Sequence, residues 1–340
     1  MARNTRRSNG MKKLQPAELN LLFRLPNLIT GVERPTIDLS QCASLANRRF
    51  YRQGLQWMVA GFTLHTNSLN EGTVTISKLP STWIMSNAWE KSFRAWKKMN
   101  DDALDETSVR PRFLDFKIYA NSAHHELGFG ENLVPIAFDT VGAQITADTG
   151  MWEASKVIIP RTDSTTGVPA PRELIAVGAS YPGAGASGLN AVSLIEGYAN
   201  SRALPNVLDP NTPDDASDAS GVAPENWMSA LFNEGTEQTE DVIADLQSDN
   251  NIAPYPFEND GTNLDTMYPG GANQLGALVF HDRFNTTSTT VSGKITAKGG
   301  AFPCGLIQLN YAPEMTQALL QVHLVPGDHR GYMATPMTEM

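Results

Sequence analysis

The sequence predicts a mainly β fold, a two-sheet antiparallel β-sandwich carrying helical and long loop insertions, on three observations. Several short segments alternate apolar and polar residues, the period of a strand with one buried face. The chain is turn-rich, with 27 Gly and 21 Pro among 340 residues, as loops between many strands require. The strand segments are not regularly interleaved with helical ones, which argues against a doubly wound parallel sheet.

Residues 1–50 read as a basic arm and a lead-in punctuated by Pro and Asn, and residues 51–340 as the main domain. Residues 53–66 (QGLQWMVAGFTLHT) predict a strand buried on both faces. Residues 73–79 alternate cleanly, with Val74 and Ile76 inward and Thr73, Thr75 and Ser77 outward. Leu114, Phe116 and Ile118 repeat the pattern, as do Val291, Ile295 and Ala297, and then Leu320, Val322 and Leu324. Residues 152–159 and 275–280 add two further strands, for six to eight in all. A helix follows Pro80, with Ser81 as its N-cap, over residues 83–99. Met85, Trp89, Phe93 and Trp96 recur on one face of it, and Glu90 and Arg94 form an i,i+4 pair. Residues 189–204 and 227–247 are two more helical candidates.

Composition sets limits on function. With 41% hydrophobic and 18% charged residues, the chain has enough apolar material for a sizeable core. No apolar run approaches the roughly 18 residues of a membrane span, so a soluble protein without a membrane partner is expected. The basic N-terminus MARNTRRSNGMKK is followed by no apolar stretch, which excludes a secretory signal. Cys42 and Cys304 are the two cysteines, too few for a disulfide framework or a four-ligand zinc site.

The net charge of −10 is unevenly spread. Residues 1–13 carry Arg3, Arg6, Arg7, Lys12 and Lys13 and no acid, whereas no Lys or Arg occurs between Arg202 and Arg283. The acidic residues of that window fall largely within a surface insertion at about 180–273. A cationic end and an anionic middle present two surfaces to two environments.

Few motifs carry chemistry. Gly183, Gly185 and Gly188 sit at dinucleotide-fingerprint spacing, but residues 180–182 (SYP) separate them from the preceding apolar run and no βαβ units follow. The expected reading is a Gly-rich loop. His124-His125-Glu126 lacks HExxH spacing and reads as a solvated turn. No G-x-S-x-G elbow, P-loop or EF-hand spacing is present. The expectation is therefore a protein that is no enzyme, with no cofactor and no metal. The arm's five cations suit sequence-independent phosphate contacts. The helix over 83–99 adds Lys91, Arg94, Lys97 and Lys98 around an aromatic stripe that reads as core rather than as a base-stacking platform.

Arm, strand set, acidic excursions and the lack of a catalytic constellation together point to a viral shell subunit. Six stretches then carry a family resemblance: TVTISKLPSTWIMSNAWEKSFRAWKKMN (73–100), SLIEGYANSRALPNVLDP (193–210), NWMSALFNEGT (226–236), YPGGANQ (268–274), FPCGLIQLN (302–310) and LVPGDHRGYMATPMTEM (324–340). The chain from about residue 50 onward resembles capsid proteins of small circular Rep-encoding single-stranded DNA viruses (CRESS DNA viruses) of stool and environmental samples. The resemblance implies a single jelly-roll shell domain, with the insertion forming an exterior projection. It implies self-assembly into an icosahedral shell of 60 copies or a multiple, packaging of circular single-stranded DNA, and a host-cell receptor met through the projection. The expected location is the virion, with a host nuclear stage in assembly.

The arm is shorter and less basic than the Arg-rich arms of many such proteins. Five charges on each of 60 arms make 300, whereas 340 codons alone take 1020 nucleotides. Inner-surface cations or counterions must neutralise the remainder. The candidates are Arg48, Arg49 and Arg52 at the arm's exit and Lys97 and Lys98 on the helix. A carbohydrate- or receptor-binding β-sandwich is the alternative, with Trp152, Tyr181, Trp227, Tyr255 and Tyr268 as candidate contacts.

Overall fold

Strand β1 (Asn20–Arg24) turns Leu21 and Phe23 inward, and β2 (Thr36–Asp38) runs directly into helix α1 (Leu39–Asn47). Asp38 ends the strand and starts the helix, accepting hydrogen bonds from the Ser40 and Gln41 N–H groups as an N-cap. The long β3 (Leu55–His65) and then β4 (Gly72–Lys78) follow. In β4, Val74 and Ile76 are fully buried, as the alternation predicts. The computed structural model describes residues 15–26, 34–66, 71–105, 114–150, 152–159, 172–180, 185–201, 277–287, 293–311 and 318–340.

Helix α2 (Trp83–Asp105) starts one residue later than its predicted cap implies. Thr82, not Ser81, supplies the oxygen that accepts from the Met85 N–H (3.4 Å). Residues 114–118 form no strand. The strand is β5 (Tyr119–Asn121), with Phe116 and Ile118 buried ahead of it. Helix α3 (Ser122–Leu127), the hairpin of β6 (Ile136–Phe138) and β7 (Gln144–Thr146), and β8 (Lys156–Ile159) come next. Strand β9 (Arg172–Ala179), strand β10 (Asn190–Ser193) and helix α4 (Leu194–Ser201) follow. The predicted helix over 189–204 therefore begins as a strand, because Ala191, Val192 and Ser193 pair with β9 and are buried. The candidate helix over 227–247 lies outside the described residues.

The chain then completes the sandwich with β11 (Val279–Thr286), β12 (Lys294–Phe302), β13 (Leu306–Tyr311) and β14 (Leu319–Leu324). A hairpin of β15 (Pro326–Gly327) and β16 (Gly331–Tyr332) leads to β17 (Ala334–Pro336). One antiparallel sheet has the order β1-β14-β3-β12, with β17 also on β3. The other has the order β11-β4-β13-β2. Their inner faces share one core, which includes Phe23, Trp57, Phe62, Ile76, Leu309 and Val322.

Between β4 and β11, which are neighbours in their sheet, the chain builds a second layer with its own core. There β9 pairs parallel with both β10 and β5 and antiparallel with β8. Ile84, Met85, Ala88 and Trp89 of α2 pack with Leu174, Ile195 and Tyr198, and this core reaches Leu306 and Met337 of the sandwich side. Among the described residues, no helix is long and apolar enough to cross a membrane.

Candidate nucleic-acid interface

The arm cations Arg3, Arg6, Arg7, Lys12 and Lys13 lie outside the described residues, but the place where the arm leaves the fold is defined. Gln15 and Pro16 are held by Arg49, whose Nη1 donates to the Gln15 side chain (3.5 Å) and to the Pro16 carbonyl (3.2 Å). The same lead-in crosses the β15–β16 hairpin. Gly331 has φ +106°, and a Cβ there would lie 2.5 Å from the Ala17 Cβ and 2.8 Å from the Gln15 carbonyl oxygen. Only glycine permits both that backbone and that approach.

Arginines gather around this exit. Arg48 is exposed and left-handed (φ 53°) at the C-terminus of α1. Arg52 donates from Nε to the Leu114 carbonyl (3.0 Å) and lies 5.5 Å over the Phe50 ring. Arg330, at the hairpin tip, donates from Nη1 to the Phe50 carbonyl. All four are exposed, so their guanidinium groups meet solvent around one segment of chain. Sequence reading named Arg48, Arg49 and Arg52 as candidates but not Arg330, which lies 278 positions beyond Arg52. Only the tertiary fold brings it there.

Helix α2 divides its faces as its periodicity predicts. Trp89 is 6% exposed, stacks on Phe93 (centroids 5.0 Å, planes at 14°) and meets Phe116 edge-on. Lys97 and Lys98 are exposed. Lys91 lies 5.1 Å over the Tyr198 ring, and Arg94 pairs with Glu90 (2.5 Å). Phe93, on the inward face of α2, lines a cavity together with Arg52 of the exit cluster.

That cavity, of about 220 Å³, lies among Phe50, Arg52, Gly54, Leu55, Trp89, Phe93, Leu114, Asp115, Phe116, His329 and Arg330. On two of these residues, Trp89 Nε1 and Asp115 Oδ2 are buried in the packing with no hydrogen-bond partner. The other Asp115 oxygen accepts from the Gln53 N–H (3.2 Å). Burial pushes the Asp115 carboxyl up to about 6, against the pull of Lys117.

A buried polar network fastens the second layer to the sandwich. Asp38 Oδ2 accepts from Gln53 Nε2 (3.2 Å) and from Trp152 Nε1 (2.6 Å). Gln53 also exchanges hydrogen bonds with the Ile118 backbone (3.0 and 2.7 Å). Asn121 and Gln308 join as a reciprocal amide pair (3.1 and 3.0 Å). His124 is not in a solvated turn, nor is His125. Their side chains are 2% and 1% exposed respectively, because α3 tucks under β9. The loop after β9 covers them: the Ala186 N–H donates to the His125 carbonyl (3.1 Å), and Ser187 Oγ lies 2.7 Å from His125 Nε2. Residues 181–184 of that Gly-rich loop lie outside the described residues.

The Ala120 N–H donates to His124 Nδ1 (3.1 Å), so Nε2 carries the proton and donates to Asn132 Oδ1 (2.6 Å). Burial pulls His124 down to about 4. In the unfolded chain it titrates near 6.5. The stability held by neutral His124 is thus complete above about pH 6.5 and is lost as pH falls towards 4, a contribution of about 3 kcal/mol. Burial raises Asp115 and so acts in the opposite sense over part of this range. The difference between wild-type and His124→Gln urea unfolding, at pH 7 and at pH 4.5, isolates the histidine. The wild type is expected to lose about 2–3 kcal/mol more than the variant.

Of the aromatics considered for glycan binding, Trp152 is buried on Asp38, which removes it as a surface contact. Tyr181, Trp227, Tyr255 and Tyr268 lie outside the described residues, as does most of the acidic window. Among the described residues no group of three His, Cys, Asp or Glu side chains could hold a metal ion. Comparison of the chain with protein-family models, curated proteins and solved structures finds no match.

Proposed function

We propose that this chain is a viral capsid protein that assembles into an icosahedral shell and packages single-stranded DNA by sequence-independent phosphate contacts. The observation that carries the reading is strand order. Counted along the sandwich with β17 set aside, the eight remaining strands run first-eighth-third-sixth in one sheet and fifth-fourth-seventh-second in the other. That order supports a jelly roll, the architecture of many viral shells. The arginines around the arm's exit support the second half of the reading, since phosphate is bound by such exposed guanidinium groups.

In this reading the arm faces the particle interior and the acidic window faces outward, where it does not repel packaged DNA and is free to meet a host receptor. Shell contacts come from the folded domain, and the arm lowers the electrostatic cost of confining the strand. Electron microscopy and size-exclusion chromatography of the purified chain test it. Megadalton closed particles are expected. A small oligomer under assembly conditions overturns the reading and favours a glycan- or receptor-binding module. Deleting residues 2–13 is expected to lower the DNA content of particles that still form.

A further inference from the structure

Charge is sorted between the sandwich and the second layer. Residues 79–278, the span that carries the second layer, hold 11 Lys and Arg against 28 Asp and Glu. The rest of the chain holds 15 Lys and Arg against 8 Asp and Glu. The second layer meets the outward side of the β11-β4-β13-β2 sheet, at Leu306 and Gln308. Across the sandwich core lies the outward side of the β1-β14-β3-β12 sheet, and none of those four strands contains an Asp or Glu. Its charges fall in two outward rows: His323 and Lys298 in one, Arg24, His65 and Lys294 in the other. The row between them, with Gln321, Thr63 and Thr296, is uncharged. Strands about 4.8 Å apart and rows about 7 Å apart make this a face roughly 14 Å across. Arg24, Lys294 and Lys298 are exposed, and Arg24 donates from Nη1 to a neutral partner, Gln144 Oε1 (3.0 Å). His323 bridges three strands, with Nδ1 2.7 Å from Asn20 Oδ1 and Nε2 2.9 Å from Thr63 Oγ1. Burial, and then the charges of Lys294 and His65, hold His323 below the ordinary histidine range. Carboxylates stand at the margins, where Glu18 accepts from the Asn20 N–H (3.3 Å) and Asp282 from the Lys298 N–H (3.0 Å).

From this sorting of charge we infer that the outward face of the β1-β14-β3-β12 sheet carries the phosphate backbone of the packaged single strand. A face of one sign, in a chain of net charge −10, attracts a polyanion and repels the acidic span of other copies. Phosphate contacts need exposed cations without opposing carboxylates, and they need no base pocket. No Phe, Tyr or Trp stands in the three outward rows, so the contact is independent of sequence. Strand β1 is one edge of the face and follows the arm in the chain, so DNA gathered by the arm passes directly onto the sheet. This placement rests on the packaging reading and deepens it, naming a DNA-facing wall separate from the arm and its exit arginines. Three lasting charges on each of 60 copies make 180 towards the deficit that the arms leave.

The test uses the full-length chain and a 5′-labelled oligo-dT strand of about 20 nucleotides, read by fluorescence anisotropy across a salt titration. Arg24→Gln with Lys294→Gln and Lys298→Gln is expected to weaken binding about tenfold or more at about 0.1 M salt. The same triple variant is expected to lower the salt slope by about 2, at about 0.7 for each phosphate no longer neutralised. Arg283→Gln removes an exposed charge from the outward side of the other sheet and is expected to change neither quantity. Lysine acetylation of the wild-type chain, read by mass spectrometry, needs no variant to fold. The strand is expected to slow modification of Lys294 and Lys298. Lys156 of the second layer, whose side chain is 47% exposed, is expected to keep its strand-free rate. The face is overturned, with packaging left to the arm and its exit, by any of three results. These are a triple variant with wild-type affinity and slope, an Arg283→Gln loss as large as its own, or Lys294 and Lys298 modified at their strand-free rates. A wild-type chain that binds no strand overturns both the face and the packaging reading.

Discussion

Replacing Asp38 by alanine is expected to destabilise the fold by about 3–5 kcal/mol, from several buried donors left unpaired at about 1–3 kcal/mol each and a lost helix cap. The carboxylate is fully buried and accepts from the Ser40 N–H (2.8 Å), the Ser40 hydroxyl (2.6 Å), the Gln41 N–H (3.3 Å), Gln53 Nε2 and Trp152 Nε1. Alanine leaves the Ser40 and Gln41 N–H groups, the Ser40 hydroxyl and Trp152 Nε1 without this acceptor, at about 1–3 kcal/mol for each that stays buried and unpaired, while Gln53 Nε2 keeps the Ile118 carbonyl. It also removes the cap of α1, itself worth about 1 kcal/mol. Asp38→Asn keeps one oxygen for the cap but turns an NH2 towards the Gln53 and Trp152 donors, so it is expected to fall between wild type and alanine. Urea unfolding of the three proteins gives the ranking. An Asp38→Ala protein within about 1 kcal/mol of wild type would mean that the cluster is dispensable.

Trp89→Ala carries the second large effect, about 3–5 kcal/mol for truncating a buried tryptophan. The indole is sandwiched between Phe93 and the Gly54 backbone, where an added Cβ would collide with Cζ2. Gly54→Ala is thus expected to displace the same ring from the other side. Lys97→Ala with Lys98→Ala should leave the melting temperature unchanged, because both side chains are exposed. It should weaken single-strand binding and reduce the salt slope by about 0.7 for each phosphate that is no longer neutralised. Thermal melting and salt-titrated affinity on these variants separate packing from charge. A Trp89→Ala chain that melts normally would remove the tryptophan from the core.

What the sequence disclosed depended on how local each signal was. Val74 and Ile76 in β4, and Leu320, Val322 and Leu324 in β14, lie on clean alternations, and the structure buries all five. The face of α2 that carries Trp89 was legible for the same reason. Strand β1 was not read, although Leu21 and Phe23 alternate, since five residues hold too little pattern and its partner β14 lies some 300 residues away. Strand β10 and helix α4 form one apolar run whose strand half is set by pairing with β9, not by period. His124 reads as polar, and only the amide of Asn132 and the N–H of Ala120 make its burial tolerable. In the candidate interface, Arg48, Arg49 and Arg52 fall within five residues of one another and stand out in the sequence. Arg330 and Asp115 join them only through the fold.

Lys78 and Val279 are direct partners across β4 and β11, so the 200 residues between them leave and rejoin the sheet at a single rung. Topologically the second layer is the loop of an ordinary hairpin. Lengthening such a loop from two residues to 200 adds about 4 kcal/mol of closure entropy, a modest penalty for an extra layer with a core of its own. The graft point itself places no demand on the register of either sheet, since β4 and β11 pair directly. The demand falls on the shared core at Leu306 and Met337 and on buried polar fittings. Any replacement must offer partners to Asp38, Gln41, Gln53 and Gln308, the places where Trp152, Asn132, Ile118 and Asn121 now plug in.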